Sequence, residues 1–228
     1  MTAVSQTTPP FNALAARRLR EALGMAPGHV AYGIRASYGL PHITPDTVLA
    51  WERGIAAPTS SELTALAGAL WCTPGELLGA ARTLREHRLA RGLAPEDVAR
   101  AVGLDHRTYL QMEQADDWRG SERQSTVLAE VLGLSPRAFA TVTGRDARLT
   151  ELLTSAATAR WQPYVKPVGK LVPVPARHIE RALESLHEEY HGRMTATLGW
   201  GDSGDTGEGA RQFLAQVLDH FWSRVRAN

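Results

Sequence analysis

Cysteine, lysine and long apolar runs are all scarce in this sequence of 228 residues. The single cysteine, Cys72, excludes a disulfide within the chain and any four-cysteine metal site. No apolar run approaches the ~20 residues that a membrane-spanning helix requires, and the N-terminus lacks the basic and apolar regions of a secretion signal. We therefore expect a protein of the reducing cytoplasm that makes no contact with a membrane.

A net charge of one sign is also missing. The formal charge is +1, and basic and acidic residues number 5 and 5 over 1–81, 10 and 10 over 82–146, and 10 and 9 over 147–228. Proteins that bind nucleic acid without sequence preference usually carry a clear positive excess, so any such binding here must depend on local groups. Those groups are nearly all arginines, which suit phosphate and guanine, although a GC-rich genome would give the same bias.

What the sequence does contain is a pair of short helices, predicted over residues 98–114 and separated by one glycine. Val98 and Ala99 belong to an apolar series at helical spacing. Gly103 permits the positive φ of a helix C-cap, and Asp105 can accept hydrogen bonds from the first free N–H groups of the next helix. The pattern predicts a helix-turn-helix.

The second of these helices has two different faces. Thr108, Tyr109 and Met112 share the face that should pack inward. The opposite face is formed by His106, Arg107, Leu110 and Gln111. Arginine can form bidentate hydrogen bonds to guanine and glutamine to adenine, so this face indicates contact with the base edges of double-stranded DNA.

The segment resembles the helix-turn-helix domains of the xenobiotic-response-element (XRE) family, which are similar to phage repressors. These are five-helix units that place the third helix in the major groove. The resemblance spans roughly residues 83–145 and rests on four residues at the spacing of the family: Ala99, Gly103, Asp105 and Glu113. It implies that the base-reading positions are His106, Arg107 and Gln111, and that Pro95 replaces the usual phosphate-binding glutamine.

The motif occurs twice. Gly24-Met25-Ala26-Pro27 reappears as Gly92-Leu93-Ala94-Pro95, and each copy is followed two residues later by Val-Ala. In the XRE family the glutamate that ends the third helix commonly pairs with an arginine four residues before the glycine. The resemblance therefore implies two structural ion pairs, Arg20 with Glu52 and Arg88 with Glu113.

The first copy is seven residues longer than the second before its recognition helix. We place the extra residues in a helix that continues to about Tyr38 and in a loop over residues 39–43, with Thr44 as N-cap. The reading positions then become Pro45, Asp46 and Ala50. These are poor base readers, so the second copy is expected to carry sequence recognition.

These patterns predict an all-α protein with two tandem five-helix repressor-like domains and a helical C-terminal region. The expected segments are a disordered N-terminus over 1–12, a first domain over 13–81, a second over 82–146, and a region for dimerisation or sensing over 147–228. The C-terminal region should have helices near 147–159, 176–196 and 208–226, a flexible loop over 199–209 and an extended proline-rich connector over 161–175. We expect its last two helices to pack on the first two domains or on a second subunit.

One motif points to a different chemistry. Residues 187–191 match H-E-x-x-H on a predicted helix, as in zinc peptidases, with third-ligand candidates His220, Asp202, Asp205 and Glu208. However, Glu189 places a second charge inside the motif and Gly192-Arg193 follows directly. We favour the interpretation that the two histidines flank a packing face beside a solvated row of glutamates, Glu180, Glu184 and Glu188.

The sequence therefore favours a sequence-specific DNA-binding transcriptional regulator, homodimeric and associated with the nucleoid in the cytoplasm. We expect no enzymatic activity, cofactor or metal. The candidate DNA-binding residues are His106, Arg107, Gln111, Gln114, Arg119 and Arg123. Two alternatives stay open: a protein-interaction module of the same fold, such as an antitoxin or developmental scaffold, and a regulator fused to an H-E-x-x-H zinc peptidase.

Overall fold

The computed structural model describes residues 8–198 and 208–226, and over these ranges the chain is built from α-helices. They contain fifteen α-helices, one short 3-10 helix and no strand beyond an isolated bridge between Phe11 and Leu78. The all-α prediction is confirmed. No helix in the described ranges is both long enough and apolar enough to cross a membrane.

The described residues form two compact units, and each is considered by itself. The first runs to Arg100 and also takes in Asp105–Gln114. The second comprises Ala101–Leu104 and the chain from Ala115 onward. The first eight helices are α1 (Ala13–Ala22), α2 (Pro27–Tyr38), α3 (Pro45–Glu52), α4 (Ser60–Ala69), α5 (Pro74–Leu77), α6 (Leu84–Ala90), α7 (Pro95–Val102) and α8 (His106–Ala115).

Side-chain caps determine where several of these helices begin. Thr44 accepts a hydrogen bond from the Thr47 amide, and Pro45 occupies the first helical position of α3, as the sequence predicts. Thr59 caps α4 in the same way through the Glu62 amide. Each such bond satisfies a backbone donor that has no partner inside its helix.

The core of the first unit lies where α2 packs against α3 and α4. Its fully buried side chains include Val30, Ile34, Ile43, Leu63 and Leu77. The first helix of the second copy joins this core, because Leu89 of α6 belongs to the same cluster and α6 packs on α5. A Cβ at Gly75 would lie 2.8 Å from the Ala90 carbonyl oxygen, so this contact requires glycine.

Residues 8–12, which the sequence assigns to a disordered lead-in, are held against the turn after α5. The Asn12 amide donates to the Leu77 carbonyl at 2.8 Å, and the Gly79 amide donates to the Pro10 carbonyl at 2.7 Å. Pro9 is buried. The expectation of disorder is therefore wrong for these five residues, because backbone hydrogen bonds can order a proline-containing segment that has no helical pattern. The rest of that predicted segment, 1–7, lies outside the described residues.

The second unit continues with α9 (Glu122–Leu132), α10 (Pro136–Val142), α11 (Asp146–Thr158), a 3-10 turn (Gln162–Tyr164), α12 (Val165–Gly169), α13 (Ala176–Leu198), α14 (Glu208–Ala215) and α15 (Val217–Arg226). Helix α13 packs against α11, α12 and α15. The fully buried side chains of this cluster include Leu149, Leu153, Leu183, Leu186 and Phe221. The C-terminal helices thus pack mainly on one another. Ala140 of α10 belongs to the same cluster, and Arg137 of α10 pairs with Asp219 of α15 at 2.7 Å, so these helices also contact the end of the predicted second domain.

Two further expectations for the C-terminal region are corrected. The connector is not extended throughout, because Gln162–Tyr164 and Val165–Gly169 are helical. Pro167 falls in the first turn of α12, where a missing N–H costs no helical hydrogen bond. The predicted helix over 208–226 is interrupted at Gln216, whose amide bonds to the carbonyls of both Gln212 and Phe213. The predicted loop over 199–209 lies mostly outside the described residues.

Candidate nucleic-acid interface

The turn between α7 and α8 has the conformation that the motif predicts. Gly103 has a φ of +70°, which favours glycine. The Asp105 carboxylate accepts a hydrogen bond from the Thr108 amide at 2.9 Å. Hydrogen bonds from the Thr108 side chain and amide lower the pKa of Asp105 below its ordinary value. Asp105 therefore acts as the N-cap of α8.

Helix α8 turns four of the six candidate residues to solvent. His106, Arg107, Gln111 and Gln114 are all exposed along one side of the helix, while Tyr109 is fully buried on the other. His106 is held by Glu96 of α7, with Nε2 3.1 Å from a carboxylate oxygen. No ion pair or hydrogen bond within the described chain engages the side chains of Arg107 and Gln111. Both remain available to an external partner.

A buried ion pair ties the end of α8 to α6. Arg88 Nε and Nη2 donate to the two carboxylate oxygens of Glu113 at 2.6 and 3.3 Å, and Nη1 donates to the Leu93 carbonyl at 2.8 Å. The side chains of Arg88 and Glu113 are only 7% and 2% exposed. Tyr109 also donates to Glu113 at 3.4 Å, and burial together with that carboxylate raises the pKa of the phenol. The pair fixes the orientation of the α8 outer face.

The first copy contains the corresponding pair. Arg20 Nε and Nη2 donate to Glu52 at 2.6 and 2.8 Å, and Nη1 donates to the Met25 carbonyl at 2.8 Å. The hydrogen bond to Glu52 raises the pKa of Arg20. The repeated spacing in the sequence therefore corresponds to a repeated three-dimensional contact, including the backbone carbonyl that follows each glycine.

The outer face of α3 differs from that of α8. Of the three expected reading positions, Pro45 and Asp46 are exposed, whereas Ala50 is partly buried. The loop after α3 exposes Ile55, with 75% of its surface accessible. The three expected reading positions offer one acid and small or apolar groups, which are poorly suited to phosphate or base edges, and the exposed Arg53 follows at the end of the helix.

The remaining two candidates, Arg119 and Arg123, belong to the second unit. Arg119 is exposed and pairs with Asp117 at 2.6 and 2.8 Å, which raises its pKa. Arg123 is exposed in the first turn of α9 and lines a cavity of about 320 Å³ with the proline-rich residues 172–175. Trp118 is buried and donates its indole N–H to Ser125 at 2.8 Å. It therefore supports the loop and is not placed to contact phosphate.

Arg145 joins distant parts of the second unit, although nothing in the sequence distinguishes it from other arginines. Its guanidinium donates to the carbonyls of Trp118 and Leu171, both at 2.9 Å, and lies 5.2 Å from the centre of the Phe139 ring. Burial lowers its pKa. No charge pattern could have identified it, because its acceptors are backbone carbonyls far apart in the chain.

The H-E-x-x-H residues lie on α13 in a structural arrangement. His187 Nδ1 lies 3.1 Å from the Ala157 carbonyl, which can only accept, so this nitrogen carries the proton and caps the end of α11. Glu189 pairs with Arg193 at 2.7 Å and with Arg224. Its neighbour Glu188 is exposed, as are Glu180 and Glu184.

Among the residues that the structure describes, no three His, Cys, Asp or Glu side chains are grouped to hold a metal ion. His220, one proposed third ligand, instead stacks on Phe213 at a centroid distance of 4.6 Å. Two others, Asp202 and Asp205, lie outside the described residues. Zinc chemistry therefore has no assembled site within the described ranges.

Metal analysis of the purified protein provides a direct check. We expect far less than one zinc per chain, and we expect Glu188→Gln to leave the melting curve unchanged. His187→Ala should lower the free energy of unfolding by about 1 kcal/mol, because the Ala157 carbonyl loses its partner. Tight zinc at one per chain, lost in the His187 variant, would support a metal site instead.

Compared with family models, with curated proteins and with solved structures, the chain matches none.

Proposed function

We propose that the protein is a sequence-specific, double-stranded DNA-binding transcriptional regulator with two tandem XRE-like heads, located at the nucleoid. The observation that supports this most directly is the outer face of α8. Arg107 and Gln111 lie one helical turn apart on an exposed face, and neither side chain is engaged by another residue of the described ranges. Arginine and glutamine at this spacing match the bidentate donors and acceptors of adjacent base pairs.

In this proposal α8 enters the major groove with the side that carries His106, Arg107, Gln111 and Gln114. The buried Arg88–Glu113 pair would hold the angle of that face, so that little conformational entropy is lost on binding. His106, at the first position of α8, would reach a phosphate or a base edge once it leaves Glu96. The protein would act by binding alone, without catalysis or a cofactor.

The near-neutral charge of the chain sets a limit on affinity. Each neutralised phosphate contributes about −0.9 to the slope of the logarithm of the binding constant against the logarithm of the salt concentration. A protein with only a few phosphate contacts therefore has an affinity that depends weakly on salt. One head would therefore bind modestly. A homodimer that places two α8 helices on two half-sites gains affinity through effective concentration and requires no further contact.

A second candidate function, a protein-interaction module of the same fold, is favoured by the first copy. Its α3 presents Pro45 and Asp46, and its loops expose large apolar side chains such as Ile55 and Trp71. Such groups suit a protein surface better than phosphate. The two functions are compatible if the second copy reads DNA and the first contacts protein.

Binding to fragmented DNA of the source organism, measured by gel shift at 50 and 200 mM salt, tests the proposal. We expect a small set of fragments to be retained at the higher salt, because base contacts survive when phosphate contacts weaken. Equal retention of all fragments that disappears at 200 mM salt would indicate non-specific binding. No retention at either salt would favour the protein-interaction module.

A further inference from the structure

The C-terminal region contains a cavity of about 410 Å³, and three successive elements contribute to its wall. Arg160 and Trp161 follow the end of α11, Gln162 and Pro163 belong to the 3-10 turn, and His187 belongs to α13. The volume lies in the lower part of the range of about 300–1,000 Å³ that is typical of small-molecule sites. Arg160, Gln162 and Pro163 are exposed, so a ligand can enter from solvent.

Two of the lining side chains are held in place by the rest of the fold. Trp161 is only partly exposed and packs against the apolar cluster that α11 and α13 share. His187 Nδ1 donates to the Ala157 carbonyl at 3.1 Å, and its neighbour Leu186 is fully buried. The indole and the imidazole are therefore ordered before any ligand binds, which reduces the entropy that binding would cost.

The polar side chains of this wall have hydrogen-bonding groups that the protein does not use. Within residues 8–198 and 208–226, no hydrogen bond or ion pair engages the side chains of Arg160, Trp161 and Gln162. Because the proton of the neutral His187 ring is on Nδ1, its Nε2 is an acceptor. Three side chains with N–H donors and one ring acceptor thus border a single cavity.

The charge of the wall favours an anion. Arg160 is the one permanently charged residue in the lining, and no acid belongs to it. Glu184 and Glu188 flank His187 along α13 and are exposed, but neither contributes to the wall, and Glu189 is engaged by two arginines. One guanidinium matches one carboxylate through two parallel hydrogen bonds. A ligand with a single carboxylate therefore fits better than a cation or a polyphosphate, which would need further positive charges.

The shape of the wall favours a flat ring. The Trp161 indole and the Pro163 ring are both apolar surfaces, and an aromatic ligand stacks on an indole in an offset or edge-to-face arrangement. The volume suits one or two rings better than a long chain. The His187 Nε2 acceptor adds a requirement for a donor, which a ring hydroxyl provides.

We propose that this cavity binds a small aromatic carboxylate that carries a hydroxyl. Arg160 pairs with the carboxylate, Trp161 stacks on the ring, and His187 Nε2 accepts from the hydroxyl. The ligand then contacts the end of α11, the 3-10 turn and α13 together, so binding stabilises the second unit. The inference gives the C-terminal region a sensing site and does not depend on what α8 binds.

Calorimetric titration of the full chain with the three monohydroxybenzoates tests this directly. We expect at least one of them to bind at one per chain and to raise the melting temperature. The corresponding hydroxybenzamides, which are neutral, should bind roughly tenfold more weakly or less, since a hydrogen bond to a charged group is stronger than one between neutral groups. Hydroxycyclohexanecarboxylates, which are not flat, should also bind more weakly because they cannot stack on an indole.

Variants locate the site. Arg160→Ala should weaken binding roughly tenfold or more and leave the melting temperature of the free protein unchanged, because this side chain is exposed and unpaired in the described chain. Arg181→Ala removes the same charge from an exposed position of α13 outside the wall, and it should bind like the wild type. Ligand stacking should quench tryptophan fluorescence, and Trp161→Phe, which retains a ring in the apolar cluster, should lose that quenching.

Binding that Arg160→Ala weakens and Arg181→Ala does not, with quenching that depends on Trp161, would support the proposal. Three results would overturn it: no binding of any hydroxybenzoate up to about 10 mM, equal affinities of Arg160→Ala and the wild type, or equal affinities for the hydroxybenzoates and the hydroxybenzamides. None of these results bears on DNA binding by α8, which is measured separately.

Discussion

Replacing Glu113 with glutamine is expected to lower the free energy of unfolding by about 3 kcal/mol. The substitution keeps the shape of the side chain and removes its charge, which leaves the Arg88 guanidinium buried without a counterion. Removing one partner of a buried pair typically costs about 3–5 kcal/mol, and the amide oxygen that glutamine retains places the effect at the lower end. For a chain of this size the melting temperature should fall by roughly 6–12 °C.

The size of this effect depends on how many hydrogen bonds the Glu113 carboxylate accepts. Its two oxygens accept from Arg88, and one of them also accepts from Tyr109, which is itself fully buried. A glutamine amide nitrogen would face the Arg88 donors at one of these positions and cannot accept from them. At least one buried donor therefore loses its acceptor, in addition to the loss of charge.

Chemical denaturation of the variant and of a matched control measures the effect. Glu130→Gln removes the same charge from an exposed position on α9 and should change stability by less than about 0.5 kcal/mol. Glu52→Gln, at the corresponding pair of the first copy, should resemble Glu113→Gln. If Glu113→Gln unfolded at the same denaturant concentration as the wild type, the ion pair would contribute nothing measurable to stability despite its geometry.

The sequence predicts this part of the fold well because each signal is local or repeated. Thr44, Pro45 and Asp105 determine helix starts through their own side chains, so their effect is visible within four residues of sequence. The ion pairs join residues 32 and 25 positions apart, but in both copies the arginine stands four residues before a glycine and the glutamate lies at or near the end of the second helix of the motif. Duplication converts a long-range contact into a pattern that can be recognised in the sequence.

Other features depend on tertiary contacts that no local pattern records. The helical turns in the proline-rich connector form because Val168 and Val172 are buried in the C-terminal core. Arg145 looks like an ordinary surface arginine in the sequence, and its acceptors are carbonyls that only the fold brings together. The exposure of Trp71 also has no signal in the sequence, since hydrophobicity alone predicts a buried tryptophan.

The last prediction concerns base recognition and rests on the proposed function. Arg107→Ala should weaken binding to the best DNA site by one to two orders of magnitude, since a good bidentate contact is worth about 1–3 kcal/mol of discrimination. It should also relax the preference at one base pair. Gln111→Ala should relax the preference at a neighbouring base pair. Both residues are exposed and unpaired inside the described chain, so neither change should lower the melting temperature.

Two controls separate base reading from general electrostatics, with affinity and base preference measured on the same duplex by fluorescence anisotropy. Arg148→Ala removes an equal charge from an exposed position on α11 and should leave base preference unchanged. Asp46→Ala alters the outer face of α3 and should have little effect, because Pro45, Asp46 and Ala50 offer no long donor to the bases. A larger loss from Asp46→Ala than from Arg107→Ala would mean that the first copy reads the sequence. Arg107→Ala and Arg148→Ala could also lower the affinity equally and leave base preference intact. That result would mean that α8 contacts only the DNA backbone, since the loss of a phosphate contact weakens binding to all sequences alike.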